Sequence, residues 1–83
     1  MGKDSKYLRQ HEKIIIAANK GIKNLNLSSS RYTTMSSKIG LLKQVESLDF
    51  SNNGLSLLPS EIGKLSNLTK LDLSRNLLTA TLS

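Results

Sequence analysis

The apolar residues of this chain recur at a fixed interval of 23. Ile22, Val45 and Leu68 share one column, and Leu25, Leu48 and Leu71 share the next. Leu27, Phe50 and Leu73 form a third, and Tyr32, Leu55 and Leu78 a fourth. Ile39 matches Ile62, and Leu42 matches Leu65. A fixed period of this length marks an internal repeat, in which each copy buries its apolar face against its neighbours. Within a copy, Val45-x-x-Leu48-x-Phe50 alternates as a short strand does, with Leu48 and Phe50 on one face. Asn53 and Gly54 follow where the chain must turn, and the Asn carboxamide can satisfy turn backbone left unpaired. Asn76 holds the same column, and Ser30 holds it in the first copy. Leu55 and Leu58 return the chain beneath the strand, and Pro59 breaks the extended segment. Ser60 is expected to cap a short helix with Glu61 in its first turn, and Ile62 and Leu65 face inward.

Residues 5–20 read as a helix, with Ser5 as its cap and Gly21 as its stop. Leu8, His11, Glu12, Ile15 and Ala18 lie near one face, and Ile14 and Ile16 lie off it. The expectation is a helix lying over the first copy as a terminal cover, because an end copy otherwise exposes its stacking face. Three segments of repeat follow, at 22–44, 45–67 and 68–83. The third is expected to be incomplete, with Thr81 in the column of Leu58 and an open apolar edge suited to self-association. The simplest reading of that ending is a truncated form of a longer repeat protein.

Two stretches carry a family resemblance. Val45-Glu46-Ser47-Leu48-Asp49-Phe50-Ser51-Asn52-Asn53-Gly54-Leu55 and Leu68-Thr69-Lys70-Leu71-Asp72-Leu73-Ser74-Arg75-Asn76-Leu77-Leu78 resemble successive leucine-rich repeats. The ending Leu58-Pro59-x-x-Ile62-x-x-Leu65 is similar to the intracellular subclass related to Ras-binding repeat proteins. The first copy departs from the pattern at Ser30, Tyr32 and Ser36, so its strand is expected to survive and its loop to be irregular. The resemblance implies an α/β leucine-rich repeat solenoid. Short parallel strands would line the concave side, loops and short helices the convex side, and a capping helix at residues 1–21 the N-terminal end. It also implies a non-enzymatic protein-binding module, such as a scaffold or adaptor. The order of residues from Met1-Gly2 through Ala18-x-Lys20-Gly21 is similar to the start of a small cytosolic member of the family. That likeness implies acylation of Gly2, although the acylation motif wants Ser or Thr where Lys6 stands.

Composition narrows the chemistry. The chain has 83 residues, one small domain, and 37% hydrophobic residues with no Trp and one Phe, so its core must be aliphatic. The lack of Cys removes disulfides, thiolate metal sites and cysteine nucleophiles. With no signal-peptide pattern at its start, it leads us to expect a cytoplasmic protein. The net charge is +6, and residues 1–24 supply +4 of it from six basic and two acidic residues. That basic segment suits an anionic membrane surface. It also raises nucleic acid as a runner-up partner, but Tyr7 is the sole aromatic among these charges, and the reading is against it. His11 stands alone as a histidine, the glycines are scattered and no metal-ligand set exists, so neither catalysis nor a cofactor is expected.

Side chains between the core leucines should point to the concave face. They are Asn24, Asn26 and Ser28, then Ser47, Asp49 and Ser51, then Lys70, Asp72 and Ser74, with Arg75 at the edge of the last strand. These are the candidate contacts for another protein. The set is polar, of mixed charge and without aromatic anchors, so this patch alone should bind weakly.

Overall fold

The computed structural model describes residues 5–78, with side chains from Arg9 onward. Helix α1 spans Ser5–Lys20, and three strands follow: β1 Asn24–Asn26, β2 Ser47–Asp49 and β3 Lys70–Asp72. They form one open parallel sheet in the order β1-β2-β3. Leu25 pairs with Leu48 and Leu48 with Leu71, so the sheet register is the sequence period. Single turns of 3-10 helix, Ser37–Leu41 and Ser60–Lys64, lie between the strands. The helix-plus-parallel-sheet arrangement agrees with the α/β class read from the sequence.

The core is built from the periodic columns. Leu27, Ile39, Leu42, Val45, Leu48, Phe50 and Leu55 are all buried. Tyr32, which replaces a leucine of the pattern, is buried with its ring centroid 5.7 Å from that of Phe50. A larger ring thus fills the first copy where a leucine fills the second.

α1 packs on the first copy, but not by the expected face. Gln10, Ile14 and Ala17 are its buried residues, at i, i+4 and i+7, and Glu12 is exposed. The buried stripe is therefore turned away from His11, Glu12 and Ile15 so that Ile14 belongs to the core, while Ala18, as expected, packs against it from the flank. Leu8 lies outside the described side chains. The reason for the rotation is polar. The Gln10 side chain donates to the Thr34 carbonyl at 2.8 Å and accepts from the Ser36 N–H at 2.7 Å. The Gln44 amide donates to the carbonyl of Ile22 at 3.1 Å. These bonds satisfy loop backbone that would otherwise be buried without partners. Gly21 ends the helix with φ +66°, and the bonds Gly21 N–H to Ala18 and Ile22 N–H to Ala17 form the Schellman pattern.

The turns also differ from expectation in detail. Pro59, not Ser60, occupies the N-cap position of the second 3-10 turn, and it makes no side-chain cap bond. In the first copy Ser36 stands in the matching column, and its hydroxyl does cap the turn by accepting from the Lys38 N–H at 3.0 Å. The irregular loop expected of the first copy is present. Arg31 has φ +62° there, an added left-handed residue beside the Ser29, Asn52 and Arg75 series that recurs in every copy.

Asn53 joins two copies at once. Its Oδ1 accepts from Ser30 N–H at 2.9 Å and Tyr32 N–H at 3.0 Å. Its Nδ2 donates to Leu27, Phe50 and Ser51 carbonyls. Asn76 repeats the pattern one copy on, accepting from Leu55 N–H and donating to Phe50, Leu73 and Ser74. The carboxamide was expected to serve its own turn, and it also serves the preceding one. Substituting Asn53→Ala strands several partly buried backbone groups. It should lower stability by about 2–3 kcal/mol in urea unfolding, whereas Ser56→Ala, at an exposed loop position, should leave it within about 0.5 kcal/mol.

Candidate functional site

Strand alternation sorts the candidate residues. Leu25, Leu48 and Leu71 turn toward the core side, so the residues flanking each of them share the opposite face. Register then aligns them in two rows. Asn24, Ser47 and Lys70 form one, and Asn26, Asp49 and Asp72 the other. Asn24, Asn26, Lys70 and Asp72 are exposed, and Ser47 and Asp49 half-buried. Ser47, Leu48, Asp49, Lys70, Leu71 and Asp72 line a shallow groove of about 450 Å³. Two carboxylates and one ammonium border it, so the groove is locally acidic on a basic chain.

The hydrogen bonds separate fixed positions from available ones. In the second row, Asn26, Asp49 and Asp72 each use Oδ1 to accept from the N–H and hydroxyl of the serine two residues on. The hydroxyl contacts to Ser28, Ser51 and Ser74 are all 2.6 Å. The N–H contacts are 2.9, 3.0 and 3.0 Å. This is an Asx turn that ends each strand. The three serines therefore belong to the turns, with their hydroxyls committed to their own strand ends. The Ser47 hydroxyl donates to Asn24 Oδ1 at 2.6 Å, linking two copies across the first row. Arg75 is exposed with φ +57°, in the turn after β3 and off the six-residue grid.

The carboxyl of Asp72 is held below its ordinary value, first by the Ser74 hydroxyl and then by the Ser74 N–H. Desolvation opposes this weakly. Both donors favour the charged carboxylate. Asp72 thus stays ionised in the groove at neutral pH and below.

Sequence reasoning found the grid and missed Gln10, Ser36 and Gln44, which fix the helix to the first copy. The available signal for Gln10 was its spacing from Ile14 and Ala17. Among the described residues, no group of three His, Cys, Asp or Glu gathers as metal ligands would. Gly2, the candidate acylation site, lies outside the described residues.

Two outcomes follow for Asp72. Ser74→Ala should raise its titration midpoint toward the ordinary aspartate value, read by carboxyl-carbon NMR. Because the folded pKa is depressed, the contact stabilises the fold above the ordinary range and loses that effect as pH falls through the folded pKa. Ser74→Ala should accordingly flatten the acid limb of the stability curve.

No curated protein matches the chain. The leucine rich repeat family matches residues 20–78, which covers both 3-10 turns, all three strands and the whole groove. Domains of this family generally mediate protein–protein interaction, and they are typically not enzymes. The match extends over more than half of the 83 residues, and the chain belongs to the leucine-rich repeat family.

Proposed function

We propose that the exposed face of the β1-β2-β3 sheet is the binding surface of an intracellular scaffold or adaptor, and that the chain is a non-enzymatic module of the 23-residue type. One observation carries this reading. Six side chains from three successive copies stand on one open face, over a groove, and four of them are exposed. In this reading the sheet is the concave side of a solenoid and α1 is its N-terminal cap, with residues 1–21 and 22–83 as the two parts. The order Met1-Gly2, Leu8-Arg9-x-His11 and Ala18-x-Lys20-Gly21 is similar to the start of leucine-rich repeat-containing protein fifty-seven. That likeness supports a cytoplasmic setting and a longer parent protein.

The acidic border favours a partner segment rich in Lys or Arg, aligned across the strands. Nucleic acid is a poor fit to this face, since Asp49 and Asp72 would oppose its phosphates. Asp49→Asn and Asp72→Asn, which keep an Oδ1 acceptor for the Asx turn as Asn26 does and remove only the charge, should each reduce recovery of cytosolic partners several-fold while far-ultraviolet dichroism stays unchanged. Recovery at wild-type level from both variants would overturn the reading.

A second reading, peripheral membrane association, is favoured by the outer side of α1. Arg9, Lys13, Ile16 and Lys20 fall within one stripe at helical spacing and are all exposed. A basic stripe around an exposed isoleucine suits an anionic lipid surface, where each cation adds about 1 kcal/mol. Acylation of Gly2 would add the second anchor. The chain should sediment with phosphatidylserine vesicles, and more so when Gly2 carries an acyl mass. Lys13→Glu with Lys20→Glu should abolish sedimentation, and no sedimentation of wild type would remove this reading.

A further inference from the structure

Asn53 is followed by Gly54, the only Asn-Gly pair in the sequence. The column after the turn residue holds Arg31 in the first copy and Leu77 in the third. The fold does not require glycine there. Gly54 lies outside the left-handed region, and a Cβ on it would sit 3.5 Å from the Thr33 methyl and 3.7 Å from the Tyr32 carbonyl oxygen, which is ordinary contact. What glycine changes is reactivity. Without a side chain in the way, its backbone nitrogen can reach the carboxamide carbon of the preceding asparagine and close a succinimide ring. The folded chain holds the atoms of that reaction in other bonds. The Gly54 N–H donates to the Tyr32 carbonyl at 2.8 Å. Asn53 Nδ2, the leaving group, donates to the Leu27, Phe50 and Ser51 carbonyls, and Oδ1 accepts from the Ser30 and Tyr32 N–H groups.

We propose that Asn53 is a spontaneous deamidation site that the fold holds shut, so that the Asn53-Gly54 pair irreversibly records opening between the first two copies. In the reaction the Gly54 nitrogen gives its proton to solvent base and bonds to Asn53 Cγ. The Cγ–Nδ2 bond breaks and ammonia leaves. Water then opens the imide at either carbonyl, leaving aspartate or isoaspartate at position 53, and no oxidant or reductant takes part. The two donors on Oδ1 would by themselves assist addition, as an oxyanion hole does. Against them, attack takes the Gly54 N–H from Tyr32 and turns Cγ tetrahedral, out of the plane in which the carboxamide bonds to both copies. That loss strands partly buried backbone groups, so the reaction waits for the copies to separate. The product closes the way back. A carboxylate has no N–H, and it would face the three carbonyls that Nδ2 serves. All of these groups belong to the copies at 22–44 and 45–67, and β2 has a strand on either side, so the site does not depend on the end of the sheet.

The site is independent of the groove and of any partner there, and its test contains none. The full chain is incubated in mildly alkaline buffer, folded and in urea, with dichroism recorded on each sample. Peptide mapping then assigns the amide-to-acid mass gain to each asparagine. In urea Asn53 should convert ahead of the other asparagines. In the folded chain it should convert about a hundredfold more slowly, because only the opened fraction reacts. Asn76 makes the same bonds but precedes Leu77, and it should keep its amide in both conditions. Gly54→Ala, whose methyl the fold accommodates, should slow conversion in urea several-fold. Ile39→Val trims a buried core residue, so it should leave the urea rate unchanged and speed conversion of the folded chain several-fold. Asn53→Asp, the product with the ordinary backbone linkage, should lower the urea midpoint. Equal rates in folded and unfolded chain would overturn the proposal. So would conversion of Asn76 in step with Asn53, a folded rate unmoved by Ile39→Val, or a wild-type midpoint for Asn53→Asp.

Discussion

The structure depends on one recurring bond set, the asparagine carboxamide that leaves each strand and reaches back to the turn before it. Parallel strands of three residues offer few ladder bonds, and their ends leave carbonyls and N–H groups facing inward. Asn53 supplies both an acceptor and donors to those groups, on its own copy and on the preceding one. Burying such groups unpaired would cost about 1–3 kcal/mol each, comparable to the gain from a core leucine. The apolar columns stack because the turns hold them in register, and neither interaction suffices alone. Ser30 is tolerated in the first copy because its own hydroxyl donates to the Ser28 carbonyl at 3.0 Å, while Asn53 reaches back to the Leu27 carbonyl.

The repeat, the register and the six-residue grid were legible because period and side-chain alternation fix them without reference to distant contacts. The same logic identified the turn column of Asn53 and Asn76. The azimuth of α1 was not legible. An amphipathic count favours apolar positions, whereas the side actually buried includes Gln10, which is retained by two loop backbone groups found only in the folded first copy. Ser36 was read as a loss of Pro, yet its hydroxyl and N–H serve the turn and the helix together. The roles of Ser28, Ser51 and Ser74 were blurred because alternation gives the side of a sheet but not the local bond that occupies a hydroxyl.

The Asx turns and the groove share the same residues. Asp49 and Asp72 end their strands through Oδ1, and they also border the groove. An Asx-turn aspartate is held in one orientation, so in the proposed binding role it would have little side-chain freedom to lose on contact. Lys70 has no such restraint among the described bonds, and it supplies the adaptable charge of the face.

The uniform reach of the bonds between copies has a kinetic consequence. Asn53 and Asn76 contact groups 21 to 26 residues away, and the strand register spans the same interval. Each added copy thus closes a loop of one constant size, and loop-closure entropy changes only slowly with length. Once α1 and the first two strands have come together, later strands add at a nearly even entropic cost onto a ready template. Folding of this chain should resemble the growth of a short crystal from a seeded face, with a slow nucleus at the N-terminal end and fast layers after it.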